Sequence, residues 1–157
     1  MYEHFYGLRE RPFELTSGPR YFVVTGSHQE ALSNLEYAIA SRTGITLLTG
    51  EAGTGKTTVI RAAIANQSER THCVHLNNPA LTRAEFVEML AVQFGLSERA
   101  RRSKAGFLLE LEQLLRQRHD VEQTTVLIVD EAQSLSLELL EELRLLSNIE
   151  TDAEKLL

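Results

Sequence analysis

Ile45-Thr-Leu-Leu-Thr-Gly-Glu-Ala-Gly-Thr-Gly-Lys-Thr-Thr58 is a short apolar run that leads straight into the spacing Gly50-x-x-x-x-Gly55-Lys56-Thr57. Residues 45–49 read as a buried strand and Val59-Ile-Arg-Ala-Ala-Ile-Ala65 as a helix, which places the glycines at a strand-to-helix turn. That is the context a phosphate-binding (Walker A) loop requires. Gly50, Gly53 and Gly55 let the backbone curl so that successive N–H groups face one phosphate, where larger side chains would obstruct the approach. The expected phosphate cradle is therefore Gly50, Glu51, Ala52, Gly53, Thr54, Gly55, Lys56, Thr57 and Thr58. Lys56 adds a mobile positive charge for the β- and γ-phosphates of ATP, and Thr57 offers its hydroxyl to Mg²⁺. The helix that starts near Gly55 directs the positive end of its dipole at the same phosphates.

Thr124-Thr-Val-Leu-Ile-Val-Asp-Glu131 is the second informative stretch. A continuous apolar run suits a strand buried on both faces of a parallel sheet, and this one ends in two carboxylates. Asp130 is the expected Mg²⁺ holder, acting through a water. Glu131 is placed to orient and polarise the water that attacks the γ-phosphate. The competing reading, that the two acids cap the next helix, loses weight because a phosphate loop stands upstream.

Composition agrees with one soluble domain: 157 residues, 43% hydrophobic and 24% charged. A net charge of −6 disfavours a protein whose overall field draws in nucleic acid. The lone Cys73 cannot form an internal disulfide and reads as a small core residue in a reducing compartment. The histidines show no zinc-ligand spacing. Neither a signal peptide nor a membrane-spanning run is legible, so the expected location is cytoplasmic.

Taken in order, the chain opens with an arm, residues 1–26, in which Phe5, Tyr6 and Phe13 are expected to dock on the domain. One use for part of that arm is a wall against an adenine ring. Residues 27–157 are the expected nucleotide-binding core. Ser27-His-Gln-Glu30 has capping-box form and opens a helix over 28–41, with Ala31, Leu32, Leu35, Ala38 and Ile39 at helical spacing. Thr71-His-Cys-Val-His-Leu76 reads as a strand, and Thr82-Arg-Ala-Glu85 caps a helix with Phe86, Leu90 and Phe94 as its stripe. The polar stretch 97–104, with Arg99, Arg101, Arg102 and Lys104, reads as a solvated loop, or else as a contact for a neighbouring subunit or a nucleic-acid backbone. Phe107, Leu108, Leu111, Leu114 and Leu115 mark another amphipathic helix; Leu139, Leu140, Leu143 and Leu146 mark the last. This succession of strands and helices describes an α/β layered domain.

Five segments together resemble one family. They are Tyr2-Glu-x-Phe-Tyr-Gly-Leu-x-x-x-Pro-Phe13, Glu30-Ala-Leu-x-x-Leu-x-Tyr37, Gly50-Glu-Ala-Gly-Thr-Gly-Lys-Thr57, Val129-Asp-Glu-Ala-Gln133 and Leu143-x-x-Leu-Ser-Asn148. They look like the N-terminal part of the AAA+ ATPases of the general secretion pathway protein A type. The resemblance implies a P-loop NTPase three-layer sandwich with a parallel sheet, and a Mg-ATP-dependent ATPase that works as a homo-oligomer. It further implies partners in a secretion apparatus, and a full-length protein with an inner-membrane anchor and a wall-binding region. It also suggests that Asn77, at the end of the second strand, holds the catalytic glutamate away until a partner binds. From the residues alone, a turn-forming Asn before Pro79 is the favoured reading.

The family's sheet order, 5-1-4-3-2, leaves this sequence with strands 1 (45–49), 2 (71–76) and 3 (125–129). On this reading the domain is C-terminally incomplete, lacking strands 4 and 5, the γ-phosphate sensor, the arginine finger and the helical lid. Such a piece is expected to be unstable unless strands 1 and 3 close the gap, and to bind ATP better than it hydrolyses it. Two other classes of function compete with a secretion ATPase. One is a DNA-associated regulator of the transposition type; the other is a nucleotide-binding module with little turnover.

Overall fold

A computed structural model of the chain describes residues 5–7, 25–77 and 81–157. At its centre lie two strands, β1 (Thr71–Leu76) and β2 (Thr124–Val129), the second rich in the β-branched residues that suit a pleated surface. They pair in parallel, with Thr71 opposite Thr124 and Leu76 opposite Val129. Parallel strands need a long crossover. Here it contains three helices: α3 (Arg83–Gln93), α4 (Glu98–Arg102) and α5 (Lys104–Asp120). Before β1 come α1 (Gly26–Ala40) and α2 (Lys56–Ala65), packed on each other; after β2 come a short 3₁₀ turn (Ala132–Ser134) and α6 (Leu137–Leu146).

Alternation along the strands puts Val74, Leu76, Leu127 and Val129 on one face, where they meet Phe86, Leu90, Phe107, Leu111 and Leu115 in a single core. The other face, with Cys73, His75, Val126 and Ile128, is only half-buried. The burial of β2 expected on both faces is thus only partial: Leu127 and Val129 pack against the core but are themselves partly buried, and Val126 and Ile128 on the other face are partly buried too. Cys73 is half-buried too, and that burial pushes its thiol pKa up.

Several expectations need correction. Residues 45–49 do not form a strand: they join neither β1 nor β2, and Ile45 and Leu47 stay 65% and 77% exposed. A strand exists by pairing its backbone groups with a neighbour, and this segment has none among the described residues. Strands 1 and 3 of the expected sheet therefore do not close on each other, and the described residues supply a two-stranded sheet. Phe5 and Tyr6 are not docked; they are 80% and 69% exposed and meet each other edge to face, with centroids 4.9 Å apart. Phe13 lies outside the described residues.

The helix start predicted at Ser27 lies two residues earlier. Thr25 caps α1, and His28, not Glu30, completes the reciprocal box by accepting from the Thr25 N–H through Nδ1. Thr25 has the extended backbone a cap needs, with φ −90° and ψ 169°. The stretch 97–104 is not a loop throughout, because Ser97 caps α4 and Ala100 is fully buried. Leu140 leaves the expected stripe of α6, being 44% exposed, while Glu142 takes a buried place between Leu139 and Leu146. Two cations explain that carboxylate: Arg83 Nη2 at 2.5 Å and Lys104 Nζ at 2.8 Å. The Thr82/Glu85 box forms as the sequence predicts, and the α3 stripe of Phe86, Leu90 and Phe94 is buried.

Candidate nucleotide-phosphate site

The glycine loop enters α2 through Gly55, which has a left-handed backbone (φ 84°), as has Gly53 (φ 79°). Only glycine adopts such angles without steric cost, so the turn depends on both. At Gly50 the constraint is space: a Cβ there would lie 3.0 Å from Thr54 Oγ1. The loop is braced from inside by Thr54 Oγ1 donating to the Glu51 carbonyl at 2.8 Å. From outside, His28 Nε2 lies 2.9 Å from the Thr54 carbonyl oxygen, so the α1 cap is tied to the tip of the loop. Sequence reading missed His28, because its signal was masked by the Ser-x-x-Glu pattern overlapping it.

Lys56 lies inside this curve, its Nζ donating to the carbonyls of Gly50 and Glu51, each at 2.9 Å. Thr57, next on α2, donates from Oγ1 to Asp130 Oδ2 at 2.9 Å. That bond joins residues 73 apart and brings the loop to the end of β2. Asp130 is placed by the sheet, since its N–H continues the β1–β2 ladder to the Leu76 carbonyl at 3.1 Å. Its second oxygen, Oδ1, accepts the Glu131 N–H at 3.0 Å.

Glu131 has a left-handed backbone (φ 56°, ψ 38°), and its carboxylate accepts a hydrogen bond from Gln133 Nε2. Asn77 follows β1 directly and is exposed; no hydrogen bond joins its side chain to Glu131. Glu51, Ala52 and Gly53 are exposed along the loop, and Thr58 lies half-buried in the first turn of α2.

A hydroxyl and a carboxylate 2.9 Å apart are hard oxygen donors of the type Mg²⁺ prefers. Among the described residues no three His, Cys, Asp or Glu side chains cluster as a metal cage. An ion held by Thr57 and Asp130 would thus complete its shell with phosphate oxygens and water, the usual arrangement for Mg²⁺. The residues fit the ion.

Three of the four basic side chains of 97–104 are engaged in ion pairs within the domain. Arg101 and Arg102 both face Glu98, and Lys104 is held by Glu142. Among the described residues no helix is long and apolar enough to cross a membrane.

An α/β arrangement with a glycine loop facing an acidic strand end defines a class, and sequence comparison agrees. Residues 39–157 match the AAA domain family, and the chain belongs to it. Membership carries the P-loop NTPase fold. The whole chain is 40% identical, over 158 aligned residues, to the general secretion pathway protein A of Aeromonas hydrophila, and spans 29% of that relative's length. No solved structure matches the chain.

Proposed function

We propose that this chain is the ATP-binding part of a Mg-ATP-dependent ATPase serving assembly of a secretion apparatus. The observation that supports it most is the Thr57–Asp130 hydrogen bond, which brings the two expected Mg²⁺ holders together at the mouth of the glycine loop. Lys56 would exchange its two carbonyl acceptors for β- and γ-phosphate oxygens, which carry more charge and bind an ammonium more strongly. Residues 50–58 would cradle the phosphates with their N–H groups, aided by the α2 dipole. Mg²⁺, when bound, neutralises charge on the β- and γ-phosphate oxygens. Glu131 would accept a proton from, or orient, the attacking water.

The secretion assignment draws on the name of the Aeromonas relative. Oligomerisation, with a neighbour's arginine completing the site, belongs to the same proposal. Binding of duplex DNA gains no support, since three of the four cations suggested for it are paired with acids.

Two variants of the intact protein test the reading. Lys56→Ala is expected to remove ATP binding, followed with a fluorescent nucleotide. Glu131→Gln should keep binding and reduce turnover by at least about 100-fold, the usual contribution of a general base. Parent-rate hydrolysis by Glu131→Gln would reject the assignment of the base.

A further inference from the structure

Glu131 is a long side chain on an exposed turn, yet the chemistry proposed for it needs a carboxylate fixed to within a fraction of an ångström. Its main chain is held on every side. The N–H donates to Asp130 Oδ1 at 3.0 Å, and the carbonyl accepts from the Ser134 N–H at 2.9 Å and from Ser134 Oγ at 2.8 Å. These bonds sustain the left-handed backbone (φ 56°), which a non-glycine residue keeps only when its surroundings impose it. They leave the carboxylate itself untethered. Gln133 supplies the tether, its Nε2 donating to Glu131 Oε2 across the 3₁₀ turn.

Asn77 does not share this task, having no hydrogen bond to Glu131. Nor does Gln133 serve the core, because its side chain is exposed and makes its one hydrogen bond among the described residues to Glu131. An ionised carboxylate has about four lone-pair positions, so one amide bond fixes its rotamer and leaves acceptors free for water.

We propose that Gln133 is the positioning residue for Glu131, its side-chain amide holding the carboxylate in the orientation from which it directs water. This rests on the reading of Glu131 as the base given above. The test uses steady-state ATP turnover, nucleotide affinity and thermal melting of the intact protein. Gln133→Met keeps the length and removes the donor; it is expected to lower kcat about tenfold, since misplacing a catalytic group by about 1 Å costs as much as 100-fold. KM for ATP and the melting temperature should not change. Gln133→Glu, the same shape with a second carboxylate, is expected to lose at least as much. Gln133→His, which retains an N–H donor, should recover part of the rate. Parent kcat in Gln133→Met, or a fall in kcat matched by a fall in melting temperature, overturns the proposal. The Glu131→Gln control separates the two levels. If it is inactive while Gln133→Met is unimpaired, the positioning role alone is wrong; if it turns over normally, the base assignment is wrong as well.

Discussion

Glu142 shows how a single residue can set a stability requirement that hydrophobic patterning hides. Its carboxylate lies in the apolar stripe of α6, with only 6% of the side chain exposed, and one oxygen faces both Arg83 and Lys104. Those two cations remain 44% and 36% exposed, so most of the desolvation cost falls on the acid. Removing both cations by Arg83→Met with Lys104→Met should strand a buried charge and destabilise the fold by about 3 kcal/mol. Glu142→Met takes the charge away with its burden, and should cost distinctly less. Urea unfolding of the two variants gives the order, and equal losses would contradict it.

At the scale of elements, the helices of the crossover depend on side chains that satisfy their first N–H groups. Glu85 accepts from the Thr82 N–H and hydroxyl at 2.8 and 2.6 Å. Glu110, from α5, reaches back to the Ser97 N–H and hydroxyl at 3.0 and 2.6 Å, joining the start of α4 to the next helix. In both acids the side-chain hydrogen bond, then the backbone one, holds the pKa below its ordinary value. A carboxylate whose pKa falls on folding stabilises the native state above its unfolded pKa. That contribution is lost as pH drops through the lower folded value. Melting temperature should therefore decline on acidification below about pH 4.3, the ordinary Glu value, and decline less steeply in Glu85→Gln/Glu110→Gln. Thr82→Ala, which removes the α3 cap, should cost about 1 kcal/mol at neutral pH in chemical denaturation.

Across the whole molecule, order is unevenly distributed. One face of β1 and β2 packs against the single hydrophobic core, whereas residues 45–49, which lead into the phosphate loop, have no partner strand among the described residues. Amide exchange on this 157-residue chain should accordingly be slow at Val126 and Ile128, which alternate with Thr124 and Asp130 as the β2 residues whose N–H groups face β1, and fast at Thr46 and Leu48. Comparable protection at both places would mean that the 45–49 segment has found a ladder.

The elements that local chemistry dictates were legible beforehand. The Thr82/Glu85 cap, the Phe86, Leu90 and Phe94 stripe, the limits of β1 and the glycine loop follow from residue type and spacing within a few positions. Legible too was the position of the acidic pair, because the apolar run that forms β2 stops at Val129, immediately before the two carboxylates. Tertiary structure alone decided whether Asp130 lies at the loop or away from it, since the 2.9 Å Thr57–Asp130 bond depends on a parallel pairing that spans the crossover. It also decided that Ile45 and Leu47 are exposed, that His28 rather than Glu30 completes the first cap, and that Glu142 is buried. The physical reason is common to all of these. Periodicity and caps arise between residues a few positions apart, while burial, ion pairing and strand partnership depend on which distant segment arrives alongside.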